Sequence, residues 1–142
     1  MAGCGPNFIY EQEQAVEENT WEYAQPVQFP FDISDTLALY NLYLDVEHNT
    51  SYPFQNMYVQ MHTTQPSGKK ISDIVSLELA DKAGVWHGNC GGEWCDLRIH
   101  IQKNAYFNEV GTYQLTINPY MRQDSLPVRS LALRIEDTEQ KR

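Results

Sequence analysis

The feature that most restricts the fold of this chain is a hydrophobic period of two that recurs in one short run after another. Val27, Phe29, Phe31 and Ile33 alternate with Gln28, Pro30 and Asp32. Tyr40, Leu42, Leu44 and Val46 share one face of the next run, and Met57, Val59 and Met61 one face of the run after it. The same spacing returns at Leu97-Ile99-Ile101, Tyr113-Leu115-Ile117 and Leu131-Leu133-Ile135. Successive side chains of a strand point to opposite faces, so each run describes a strand with one buried face. Pro30 has no donor for a ladder and places the first run at a sheet edge. Ile71, Ile74, Val75, Leu77 and Leu79 keep the period imperfectly, which predicts a bulge near Asp73. Between runs, Pro66-Ser67-Gly68 makes a turn in which Pro fixes φ at one corner and Gly permits positive φ at another. About eight strands without a convincing helix predict an all-β fold, an antiparallel β-sandwich of jelly-roll-like type.

With 142 residues, the chain suits a single domain able to bury a real core. The alternation marks 26–137 as the sandwich, with 138–142 as a polar tail expected to fray. Residues 1–25 read as a lipobox remnant followed by a flexible acidic segment. "EQEQAVEENTWEYAQ" has too few apolar residues for a firm face, and only Phe8-Ile9-Tyr10 suggests a short strand. The formal net charge of −9, from 19 acidic and 10 basic side chains, excludes nucleic acid as a partner, because phosphate contacts need Lys and Arg. The opening Met1-Ala2-Gly3-Cys4-Gly5 contains the small-small-Cys triplet that ends a bacterial lipoprotein signal peptide, with Cys4 the site of lipid attachment. The apolar segment that should precede it is missing, so either the chain is cut at the processing site or the triplet is coincidental.

Cys90 and Cys95 lie in "VWHGNCGGEWCDLRIH". Together with His87 and His100 they number four conceivable zinc ligands, but the spacing is wrong for a two-residue Cys knuckle and His100 falls on the polar face of a strand. A disulfide closing a small loop fits better in an oxidising compartment, and leaves Cys4 unpaired as a lipid-bearing Cys would be. No metal and no cofactor are expected. Glu93 and Asp96 flank the loop, where they could meet calcium or sugar hydroxyls or serve only to fix it. Neither a Gly-x-Ser-x-Gly elbow nor a His-Glu-x-x-His pair occurs, so an enzyme is not expected. Tyr52, Trp86 and Trp94 sit near loops, placed to stack on a glycan, anchor a protein partner or cap the end of the sandwich. Arg122 follows Met121 in a polar loop; it either pairs with Asp124 or Asp96, or faces a partner.

One ordered series of motifs goes further. "YNLYLDVEHNTSYPFQNMYVQM" is followed by "LADKAGVWHGNCGG", "DLR", "NAYFNEVGTYQLTI" and "YMRQDSLPVRSLALRIED". Over about residues 21 to 137 this series resembles the gliding motility lipoprotein GldH family. Cys90 and Cys95 stand outside the family pattern, as does the absence of a Gly after Leu126. The resemblance implies a lipoprotein acylated on Cys4, held in the cell envelope and acting non-enzymatically in gliding motility or the associated protein secretion machinery. Its partners would then be other envelope proteins and, through the lipid, the membrane. The sequence after Cys4 lacks an immediate acidic run of the kind used for surface export, which points to a periplasm-facing position. The alternative is a carbohydrate-binding β-sandwich module of the envelope.

Overall fold

A computed structural model describes residues 7–142, and Cys4 lies outside the described residues. The strands are β1 (Phe8–Ala15), β2 (Trp21–Glu22), β3 (Val27–Ile33), β4 (Ala38–Asn49), β5 (Asn56–Thr64) and β6 (Lys70–Glu78). They continue with β7 (Asn89–Gly91), β8 (Trp94–Ala105), β9 (Gly111–Pro119), β10 (Ser125–Leu126) and β11 (Val128–Lys141). Two antiparallel sheets face each other, one in the order β1-β11-β4-β8-β7 and the other β3-β9-β5-β6. The chain crosses between them after β1, β3, β4, β6, β8 and β9, the connectivity of a jelly-roll-like sandwich. The fold is therefore the all-β sandwich expected, with more than eight strands because β2, β7 and β10 are too short to show a period.

The alternation locates the core. Phe29, Leu44, Met57, Val59, Ile117, Leu131, Leu133 and Ile135 are each fully buried, all from the expected inward faces. Pro30 is exposed on β3, which is an edge strand as its missing donor requires. Near Asp73 the structure corrects the expectation of a bulge. The β5–β6 register runs unbroken from Asn56 opposite Glu78 to Thr64 opposite Lys70. Ile74 therefore lies beside Gln60 on the outer face, and Asp73 beside Met61 on the inner one.

Both ends of the chain also differ from expectation. Phe8–Ala15 is a full edge strand on β11, and Trp21, fully buried, pairs across to Leu126 and plugs one end of the sandwich. The inward positions of β1 opposite Leu133 and Leu131 are Gln12 and Gln14, and the Gln14 amide donates to the Gln28 carbonyl at 3.1 Å across the two sheets. An edge strand is only partly covered, so amides serve where a central strand needs hydrocarbon. At the other terminus Lys141 pairs with Ala38, the Arg142 N–H donates to the Leu37 carbonyl at 2.8 Å, and the Arg142 guanidinium lies 4.3 Å from the Tyr106 ring centre. Residues 138–142 are thus docked rather than frayed, held by backbone bonds their polarity does not advertise.

Candidate functional site

The pairings Asn49–Trp94, His48–Val128 and Asn56–Glu78 gather the β4–β5, β6–β7 and β9–β10 connections at one end of the sandwich. All four residues singled out as binding candidates stand there, but in different environments. Tyr52 is 3% exposed, its hydroxyl donating to the Asn56 carbonyl at 2.6 Å, and burial pushes its phenol up. It is a core residue rather than a ligand platform, because Pro53 turns the chain outward only after it. Trp86, half-buried, lies 4.6 Å from the imidazole of His48 and covers it. That imidazole is fully buried, Nε2 has no partner among the described residues, and burial lowers its pKa, which favours the neutral ring. Trp94, also half-buried, carries the Arg129 guanidinium 4.6 Å from its ring centre. Both indoles are engaged by the protein's own side chains.

Arg122 is different. It is exposed and makes no ion pair with Asp124, Asp96 or any other carboxylate among the described residues. It borders a groove of about 700 Å³ on the outer face of the four-stranded sheet, with Phe54, Asn56, Tyr58, Ile74, Tyr120, Met121 and Gln123. Two backbone contacts build this groove. The Tyr120 N–H donates to the Tyr58 carbonyl at 2.8 Å, and the Tyr58 N–H donates to the Met121 sulfur at 3.3 Å. The chain leaving β9 is thereby held along β5, with Tyr120 and Met121 next to Tyr58. Phe54, Tyr58, Ile74 and Tyr120 are 40%, 45%, 53% and 48% exposed, a contiguous apolar patch on a surface otherwise amide- and hydroxyl-rich. Of these residues the sequence reading reached only Arg122. Tyr58 and Tyr120 carry no local signal, since an outward Tyr on a strand looks like ordinary cross-strand packing.

Cys90 and Cys95 face each other across β7–β8 and are joined, with Cα atoms 3.9 Å apart. The loop between the strands is Gly92-Glu93, with positive φ at Gly92 only, the pattern of a two-residue hairpin turn with Gly first. With both sulfurs bonded to each other, neither is a thiolate for the zinc set considered above. Asp96 lies opposite Glu47 in the β4–β8 ladder. Arg129 holds Glu47 down to about 2, while burial and the adjacent Glu47 raise Asp96. This carboxylate pair is tied into the sheet by Arg129 and Ser130 rather than directed at a ligand. The turn Asp81–Val85 is closed by the Asp81 carboxylate, which accepts from the Ala83 and Val85 N–H groups at 2.9 Å each, with Gly84 at φ +85°. Gly88 is required for another reason. A Cβ there would lie 2.4 Å from the Asp96 carbonyl oxygen.

Distant structural likenesses include the mitogen derived from Yersinia pseudotuberculosis, at 10% identity over 96% of this chain and 91% of that one, with a TM-score of 0.38. A carbohydrate-binding module specific for non-crystalline cellulose matches 89% of this chain and 70% of its own at 9% identity and a TM-score of 0.42. Neither is close enough to carry an argument. Sequence relatives are nearer. A gliding motility lipoprotein GldH homolog of Christiangramia forsetii is 25% identical over 87% of this chain and 75% of its own. The gliding motility lipoprotein GldH of Flavobacterium johnsoniae is 22% identical over 87% and 76%. The profile of the GldH lipoprotein family matches residues 8–135, from the first residue of β1 to the last buried position of β11. On that match, the chain belongs to the GldH lipoprotein family.

Proposed function

We propose that this protein is a non-enzymatic component of the cell envelope, tethered by a lipid on Cys4 and facing the periplasm, that works by holding another envelope protein. The machinery served is that of gliding motility or its associated protein secretion. The observation that carries this reading is the groove beside Arg122. Beside Ile74, Asn56 and Gln123, its lining is Tyr, Phe and Met with one Arg that has no ion pair among the described residues, types enriched at protein interfaces. A glycan would have to use the same rings, since Tyr52, Trp86 and Trp94 are committed within the fold.

Incorporation of a photo-crosslinking side chain at Tyr120, and separately at Tyr106 near the opposite end, tests this in the native envelope. A discrete protein adduct from position 120 and none from position 106 is the expected result, and Arg122→Glu should weaken it. Lack of any adduct, together with saturable shifts of the Tyr58 and Tyr120 resonances on adding neutral oligosaccharides, would replace the protein-binding reading with the carbohydrate one.

A further inference from the structure

Among the described residues the edge strand β6 has no neighbour on its free side, and its outward residues are complementary to their own reversed order, with Lys70 at one end and Glu78 at the other. Which of its residues face that free side follows from the ladder. The Tyr120 N–H bonds the Tyr58 carbonyl, so the main chain of Tyr58 points to β9, and by alternation that of Met57, Val59 and Met61 points to β6. Their partners Leu77, Val75 and Asp73 spend their main-chain groups on β5. That leaves Lys70, Ser72, Ile74, Ser76 and Glu78 directing N–H and C=O outward along the edge. The same five residues carry their side chains on the outer face, and all five are exposed.

We infer that β6 is a dimerisation edge whose occupant is the β6 of a second copy of this chain, running antiparallel about a two-fold axis at Ile74. In that register Lys70 meets Glu78 of the other copy, Ser72 meets Ser76, and Ile74 meets itself. Each meeting joins two residues whose main-chain groups point outward, so the five pairs exchange about ten backbone hydrogen bonds. A shift of the axis to Ser72 or Ser76 loses the Lys–Glu pairs. Charge complementarity therefore selects both the partner and the register. Asp73, an inward charge of the kind that protects edge strands from indiscriminate pairing, stays open to the cleft between the sheets and limits the affinity. The two-fold stands normal to the sheet, so the two grooves beside Arg122 open on one face of the dimer. If the anchor on Cys4 proposed above holds, both lipids reach one membrane only with that axis along the membrane normal. The dimer itself does not depend on that reading.

Sedimentation equilibrium of the full chain from about 1 to 500 µM reads the association, a range that brackets weak and standard dimers. Wild type is expected to dimerise. Lys70→Glu puts two like-charged pairs in the interface, as does Glu78→Lys, and each should weaken the dimer about tenfold. The double variant Lys70→Glu/Glu78→Lys, and an equimolar mixture of the two single variants, should recover wild-type association. These are exposed side chains, so folding is not at stake. A wild type that stays monomeric throughout overturns the inference, and so does a dimer whose affinity ignores all four charge arrangements. Capture of a different protein's strand by a monomeric wild type would assign the edge to another occupant.

Discussion

The two flanks of the sandwich are made from the same alternating code and end in different states. On the flank formed by β1 and β3, the Gln14 amide ties the sheets together, and Tyr10 packs edge-on against Phe31 at 5.9 Å. Phe31 is 4% exposed and stacks on Tyr113 at 5.5 Å. On the flank formed by β6 and β8, the inward residues Leu97, Ile99, Ile101 and Val75 are only half-buried, and a cleft of about 490 Å³ opens between the strands. An inward position is a direction, and its burial depends on whether the facing sheet supplies a cover. β1 covers β3 along most of its length, whereas β7 is three residues long and cannot close the other side.

Truncation should separate the flanks most widely. Phe29→Ala removes a fully buried ring from the closed flank and is expected to cost about 4 kcal/mol, in the range for buried aromatics. Ile101→Ala, on the open flank, should cost about 1.5 kcal/mol, because water already reaches part of the side chain. Guanidinium unfolding with a shared m-value measures both. Similar losses at the two positions would abolish the distinction.

The same contrast explains what could be read in advance. Strands whose inner face is covered by the opposite sheet need an apolar residue at every second position, so β3, β4, β5, β9 and β11 declared themselves. β1 did not, since Gln12 and Gln14 occupy its inward positions and Glu11 and Glu13 its outward ones. Its order comes from partners over a hundred residues away, among them the ion pair of Glu11 with Arg134. The bulge expected near Asp73 follows from counting Ile74 among the core residues. On an open edge strand, an outward Ile and an inward Asp are both tolerated, and the regular register follows. The groove was out of reach for a further reason: Phe54, Tyr58, Ile74 and Tyr120 converge only through the register of three strands.

The disulfide sharpens the comparison at intermediate size, since it staples the short strand β7 at the rim of the open flank. Closing so small a loop restricts the unfolded chain by about 2 kcal/mol at most. Replacing both residues in Cys90→Ala/Cys95→Ala should lose that amount or less. Amide exchange is the more telling measurement. Protection should fall at Asn89 and Gly91 and stay unchanged at Gln12 and Gln14. A loss of protection spread across both flanks would mean that the hairpin supports the whole sheet.

The smallest expected effect concerns charge on the outer face of the five-stranded sheet. Toward β1 the charges are matched: Asp45 accepts from Arg134 at 2.7 Å and from Arg98 at 2.9 Å, and Glu11 completes the row. Toward β7 they are not, because Asp96 lies opposite Glu47 and Arg129 is committed to Glu47. Burial and the adjacent Glu47 raise the Asp96 carboxyl in the folded state. Between its ordinary value and that raised value the native state holds the extra proton, so wild-type stability falls as pH rises through the window. Above it the cost is constant. Asp96→Asn removes the charge at constant size and should gain about 0.5 kcal/mol at pH 7, the scale of a like-charge cross-strand pair. That gain should fade as pH drops below the ordinary carboxylate value, where wild-type Asp96 is protonated in both states. Glu47 acts with the opposite sign: its contribution is present above its ordinary value of 4.5 and is lost as pH falls to about 2. In the variant that acid loss stands without the Asp96 offset, so its stability should decline more steeply over the same interval. Urea unfolding of both proteins across pH 2 to 7 reads the two curves. Parallel curves, with the gain intact at low pH, would trace the effect to packing and leave the charge row even from one flank to the other.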